Sequence, residues 1–219
     1  MIINKSPQMS SINLESIIVV LPAILIGLTF HEYMHAKTAH LLGDDTAFLD
    51  GRITVNPLKH IDWIGFVFIL VAHFGWAKPV MFNPEKLKHP RSDEMLIAIA
   101  GPIANFLLAI VFAILLKLSS FIIPVEGIFF EMLLAGIYIN FGLFIFNMIP
   151  LPPLDGSHLL LKSIKFGKEM EANIFKYGTI ALFAIIIIDS QTKLNLIPIG
   201  KAMMFLTSTT LNLLGISIL

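Results

Sequence analysis

The chain contains no cysteine, so disulfides and thiolate metal ligands are both excluded. Charge is also scarce. Asp, Glu, Lys and Arg make up 14% of the residues, against about 25% in an ordinary soluble domain. Neither sign is in surplus, with 15 basic and 15 acidic side chains, so the basic excess expected of a nucleic-acid binder is missing. The sequence shows no internal repeat, no low-complexity tract and no second soluble domain. Any metal held by this chain must be held by His, Asp or Glu.

What is abundant is apolar surface. Hydrophobic residues make up 56% of the 219, and the mean hydropathy is +0.84. These residues fall in long runs, at about 16–42, 94–116, 128–149, 172–188 and 197–219. A helix needs about 20 apolar residues to cross a bilayer, and each of these runs approaches or exceeds that length. A sixth run, 63–76, is short and interrupted by His73 and Gly75, so it is expected to re-enter the membrane or lie at its surface. The stretches 51–55 and 78–82 read as extended. The expected fold is an all-α membrane protein, a bundle of five to six transmembrane helices with a small β-like re-entrant or surface hairpin, in one domain over 1–219. The polar start, 1–13, carries only Lys5 and no cleavage pattern, so no removable signal peptide is expected.

Basic residues in short loops orient such a bundle. Lys78, Lys86, Lys88 and Arg91 lie in one loop, and Lys162, Lys165 and Lys168 lie in another. The loop between them, 118–127, has none. Both basic loops are therefore expected in the cytoplasm, in a multi-pass protein of the cell membrane whose active site lies nearer that side.

The sharpest chemical signal is His31-Glu32-Tyr33-Met34-His35 in the first apolar run. Residues four apart share one helix face, so two imidazoles can bind one ion from a single turn. Glu32 stands beside the first ligand, where it can take a proton from a water that the metal activates. Histidine pairs at this spacing also arise by chance. Ionisable groups at membrane depth are costly, however, and three within five residues argue for a shared partner. A catalytic zinc takes three protein ligands and leaves one position open. Without cysteine, the best third ligand is Asp155, in the proline-rich stretch Asn147-Met148-Ile149-Pro150-Leu151-Pro152-Pro153-Leu154-Asp155-Gly156. Alone, Asp155-Gly156 would read as an ordinary turn. Beside an incomplete zinc site between membrane helices, it reads as a ligand.

With these motifs the chain resembles the site-2 protease family of intramembrane zinc metalloproteases, in its compact prokaryotic form. The resemblance covers nearly the whole length. It runs through His31 to Ala36, Gly43-Asp44, Gly51 to Pro57, His60-Ile61-Asp62, Phe74 to Val80, Ala100-Gly101-Pro102-Ile103-Ala104-Asn105 and Asn147 to Gly156. The ordered set is specific, whereas the first motif alone occurs in many protease families. Trp63 stands where family members often have proline, and the apolar run after it is shorter than usual. The resemblance implies that His31, His35 and Asp155 hold one zinc ion and that Glu32 is the catalytic acid and base. It implies that Asn147 steadies substrate or the developing oxyanion, a task suited to a neutral amide donor. Read by itself, Asn147 is a helix-end hydrogen bond.

The function so implied is hydrolysis of peptide bonds in or near the membrane spans of tethered proteins, as in regulated intramembrane proteolysis. Partners would be transmembrane protein substrates, the lipid bilayer and a separate regulatory membrane protein, with no nucleic acid. The extended stretch 78–82 could pair with an unwound substrate as an added strand. His40, His60, His73, His89 and His158 are read as supporting or surface residues. Asn105 and Asn140 are read as helix-to-helix hydrogen bonds, and Gly101 and Gly136 as close-packing positions. A metal transporter would need ligands along a route on several helices and would give Glu32 no task. A membrane di-iron oxygenase would need further histidine clusters. An inactive relative would lack a catalytic residue that is present here.

Overall fold

The computed structural model describes residues 14–72, 75–122, 127–164, 166–192, 194 and 196–216. The polar start, His73, Lys165 and part of the loop 118–127 lie outside the described residues. The order of helices is α1 (Leu14–Leu41), α2 (Thr46–Leu49), α3 (Trp63–Ala72), α4 (Pro90–Ser119), α5 (Ile128–Asn147), α6 (Asp155–Ser163), α7 (Lys168–Thr192) and α8 (Ile199–Leu213).

Among the described residues, four helices are long and apolar enough to cross a membrane: α1, α4, α5 and α7. The last apolar run gives α8, whose 15 residues reach only about 22 Å against a hydrocarbon core of about 30 Å. The short run gives α3, a helix of 10 residues. It extends about 15 Å, too little to cross. The expected β-like hairpin is reduced, among the described residues, to a single antiparallel bridge between Ile61 and Ala77. The backbone on either side is pinned by side chains instead, as described below.

Helix ends follow local chemistry. Pro90 opens α4, where its missing N–H costs nothing. Asp93 closes the same end by accepting from the His89 N–H at 2.8 Å. Pro150 follows the end of α5, and Pro152 and Pro153 precede α6. Gly156 lets α6 start hard against the end of α5: a Cβ there would lie 2.5 Å from the Met148 carbonyl oxygen. Asp155 is thus the first residue of a helix that is folded back onto the bundle.

α4 is the central helix, packed against α1, α5 and α6, and α1 also meets α5. The largest buried cluster places the small Ala109 and Ala113 of α4 against Phe130, Leu133, Ile137 and Phe141 of α5 and Leu211 of α8. Small residues facing large ones allow close helix approach, the main source of cohesion where lipid replaces water.

Candidate active site

Three side chains from two distant stretches converge beside α4. His31 and His35, one turn apart on α1, cross edge to face with ring centroids 4.6 Å apart. Their Nε2 atoms lie 3.0 Å apart. Asp155 Oδ2 lies 3.1 Å from His31 Nε2 and 3.4 Å from His35 Nε2. Both histidines are buried. They form, with Asp155, the one group among the described residues whose geometry could hold a metal ion.

The donor inventory supports a cation at this point. His35 Nδ1 lies 2.7 Å from the Ile97 carbonyl oxygen, which can only accept, so Nδ1 carries a proton, and a neutral ring held this way would turn its Nε2 lone pair inward. His31 Nδ1 lies 2.7 Å from Asn105 Oδ1. Asp155 Oδ2 is buried and finds no hydrogen-bond partner. Electron-rich atoms facing one another repel unless positive charge lies between them. Metal–ligand bonds of about 2.0–2.1 Å in a tetrahedron put ligand atoms roughly 3.3–3.4 Å apart, close to the spacing found. The residues present fit zinc.

Room for this arrangement comes from Gly101 of α4. A Cβ there would lie 2.3 Å from His35 Nε2 and 2.8 Å from His31 Cε1. The absent side chain is the space in which the imidazoles stand. The close-packing role expected of Gly101 is thus specifically a contact with the two histidine rings.

Glu32 is buried next to the cluster and is already engaged. Its Oε2 accepts from the Val80 N–H at 3.0 Å and lies 4.0 Å from Arg52 Nη2. Arg52 Nη2 also donates to the Lys78 carbonyl oxygen. The Lys78 N–H in turn donates to the His60 carbonyl oxygen at 2.8 Å, next to the Ile61–Ala77 bridge. Further along, Asn83 N–H donates to Asp44 Oδ2 at 2.6 Å. Backbone from Lys78 to Asn83 is therefore tied to the protein at successive points, with Glu32 as one of the ties.

Outside the candidate spans, several charges are tuned by their surroundings. Burial pushes the His60 imidazole down, toward its neutral form, while its Nε2 sits 2.8 Å from the Thr54 carbonyl oxygen. Lys162 loses hydration on burial, but Glu94 at 3.2 Å and Glu171 at 3.3 Å outweigh that and hold it above the ordinary lysine value. His40 pairs with Asp45 at 2.6 Å on the exposed side, away from the buried cluster. Asn147 donates from Nδ2 to Leu143 O at 3.0 Å, the helix-end bond that its position at the end of α5 also suggests. Arg52 lies in the stretch Gly51 to Pro57, and its only sequence signal is an arginine set between Gly51 and Ile53.

Residues 123–188 match the model of peptidase family M50. "Putative zinc metalloprotease YwhC" of Bacillus subtilis is 40% identical over 142 residues, covering 63% of this chain and 65% of that protein. "Putative zinc metalloprotease MJ0611" of Methanocaldococcus jannaschii is 32% identical over 146 residues, covering 65% and 69%. "Putative zinc metalloprotease Rip2" of Mycolicibacterium smegmatis is 29% identical over 145 residues, covering 64% and 54%. The matched region thus spans between about half and two thirds of these relatives. No solved structure matches the chain.

Proposed function

Since this chain belongs to peptidase family M50, we propose that it is an intramembrane zinc metalloprotease that hydrolyses peptide bonds in or near the membrane spans of tethered proteins. The observation that carries this reading is the convergence of two imidazole Nε2 atoms and an unpartnered carboxylate oxygen within 3.4 Å of one another. They lie next to a buried glutamate, and α1, which carries both histidines, is long and apolar enough to cross a membrane.

His31, His35 and Asp155 would hold the ion. Bound there, zinc supplies Lewis acidity to the scissile carbonyl and lowers the pKa of a water to about 7. Glu32 takes a proton from the attacking water as the water oxygen bonds to the carbonyl carbon. It then delivers that proton to the amine as the C–N bond breaks. To do so, Glu32 Oε2 has to give up or share the Val80 N–H. The donors that remain for an oxyanion include the Asn147 amide, once it releases Leu143 O.

The lysines of the two basic loops favour a site nearer the cytoplasmic side. Substrates would be transmembrane proteins, since both ligand-bearing stretches adjoin helices with lipid-sized apolar faces. The inner edge of the extended segment is occupied by Glu32 at Val80, so a substrate strand would pair on its other edge.

A cleavage assay on tethered candidate substrates in lipid, with zinc content measured in parallel, tests this reading. Glu32→Gln keeps an oxygen for the Val80 N–H and cannot take a proton. We expect it to retain one zinc per chain while cleavage falls by about 10²–10⁴-fold, the usual range for a lost general base. Undiminished cleavage by this variant would overturn the assignment. So would a wild-type enzyme that holds no zinc and ignores chelators.

A further inference from the structure

Two fully buried asparagines stand in series behind His31. Asn140 of α5 donates from Nδ2 to the Gly136 carbonyl oxygen at 2.8 Å. Asn105 of α4 donates from Nδ2 both to Asn140 Oδ1 at 3.0 Å and to the Gly27 carbonyl oxygen at 2.9 Å. Asn105 Oδ1 then meets His31 Nδ1 at 2.7 Å.

The direction of this chain is forced. A backbone carbonyl only accepts, so Gly136 O requires the NH₂ end of Asn140 and leaves its oxygen toward Asn105. Gly27 O and that oxygen both require the NH₂ end of Asn105, which leaves Asn105 Oδ1 toward His31. An amide oxygen also only accepts, so the proton of the neutral ring must sit on Nδ1. Reversing either amide would set two acceptors face to face in a site with no water contact, at a cost of about 1–3 kcal/mol for each unsatisfied buried group. The orientation is thus read from the carbonyl ends and does not depend on how amide atoms are named.

We propose that Asn105, anchored by Asn140 and Gly27, is a positioning residue that fixes His31 with its proton on Nδ1 and a bare Nε2 facing Asp155. The two asparagines therefore do more than join helices. They set which nitrogen of a ligand is available, and they do so from α4 and α5, the two helices packed behind α1. His35 reaches the same state through the backbone carbonyl of Ile97, so both ligands are oriented by groups that can only accept. Partners of this kind typically change metal affinity by about 10- to 100-fold when removed.

This inference rests on the zinc reading for its purpose, but its ring-nitrogen test does not need zinc to bind. Nitrogen-15 NMR of the ring nitrogens in the metal-free protein reports which atom carries the proton, and a competing chelator dye gives zinc affinity. In the wild type, we expect a protonated His31 Nδ1. Asn105→Leu should leave Nδ1 bare, as Nε2–H turns to Asp155, and weaken zinc binding by about 10- to 100-fold. Asn105→Asp still accepts from Nδ1 but cannot donate to Gly27 O or Asn140. It should lose thermal stability yet keep the ring proton on Nδ1 and hold zinc more tightly than Asn105→Leu.

A merely structural tie predicts the reverse pattern, with affinity following stability and the ring proton unmoved. A bare His31 Nδ1 in the metal-free wild type overturns the proposal. Zinc affinity in Asn105→Leu equal to wild type overturns it too. If Asn105→Leu does not fold, the wild-type spectrum and Asn105→Asp decide. A wild type that binds no zinc but shows a protonated Nδ1 defeats the protease reading and leaves this one standing.

Discussion

At the scale of single residues, Asp44 shows how one carboxylate can fasten a loop. It is fully buried, with Oδ1 accepting from the Thr46 N–H at 3.0 Å and the Thr46 hydroxyl at 2.5 Å. Oδ2 accepts from the Asn83 N–H, and Lys86 Nζ lies 3.7 Å from Oδ1. Burial pushes the carboxyl up, but these bonds and the lysine outweigh it and hold Asp44 below the ordinary carboxylate range. A carboxylate favoured by the folded state contributes its full stability above the unfolded pKa of about 3.9 and loses it as pH falls through the lower folded value. Thermal melts of the solubilised protein between about pH 6 and pH 2 should therefore show an acid-labile component. Asp44→Ala should lack that component and be less stable at neutral pH by about 1.5–3 kcal/mol, the worth of a hydrogen bond to a charged group. Parallel acid profiles for the two proteins would exclude the role. This tie could not be read from sequence, because Asp44 next to Asp45 looks like any polar turn. The histidine pair was legible because a four-residue spacing fixes a shared helix face whatever the tertiary fold. Asp155 was legible only from its context, an incomplete zinc site and the resemblance over Asn147 to Gly156, since nothing local distinguishes it from a turn aspartate.

Among the connecting elements, the segment from Lys78 to Asn83 carries the most chemistry and was read only in part. The sequence reads as extended at 51–55 and 78–82 and suggests a hairpin, of which the described residues form one bridge, Ile61 to Ala77. A hairpin needs a ladder, but here, beyond the Lys78 N–H to His60 carbonyl bond, the partners are side chains: Arg52 for the Lys78 carbonyl, Glu32 for the Val80 N–H and Asp44 for the Asn83 N–H. Long-range bonds of this kind leave no periodic trace in a sequence. The buried Arg52 guanidinium bridges two of these ties, since it also lies 4.0 Å from Glu32. Arg52→Ala should thus free the front of the segment while leaving its rear fixed. Hydrogen exchange would read this: the Val80 amide, held by the Glu32 that Arg52 flanks, should exchange faster, and the Asn83 amide, held by Asp44, should not change. Uniform protection across the segment would mean that Arg52 holds nothing, and uniform loss would mean that the variant has opened the fold as a whole.

Across the whole molecule, the helices differ sharply in how firmly they are held. Within the most apolar window, 44% of α4 is buried against 6% of α7. The crevice beside α7, about 670 Å³, is lined by Pro150, Leu151, Pro152, Ile174 and Tyr177, directly beside the turn that delivers Asp155. Its fastenings include the Lys162–Glu171 pair at 3.3 Å and a close contact at Gly178, where a Cβ would lie 2.7 Å from Pro152 Cδ. Gly101 poses a similar steric problem, with a Cβ 2.3 Å from His35 Nε2. The outcome of adding one methyl should differ, because it depends on what can yield. At Gly178 the neighbour is a proline in a turn, and the loosely packed α7 can move away into lipid. At Gly101 the neighbours are the two imidazoles, which Ile97 and Asn105 hold from behind. Gly178→Ala should therefore keep its zinc and lose no more than about 1–3 kcal/mol, the usual range for overpacking. Gly101→Ala should lose zinc even where its melting temperature remains close to wild type. Zinc content and thermal melts of the two variants, taken together, check this. Loss of zinc in Gly178→Ala would show that α7 and the Asp155 turn move as one body, and that the bundle is tighter than its burial implies.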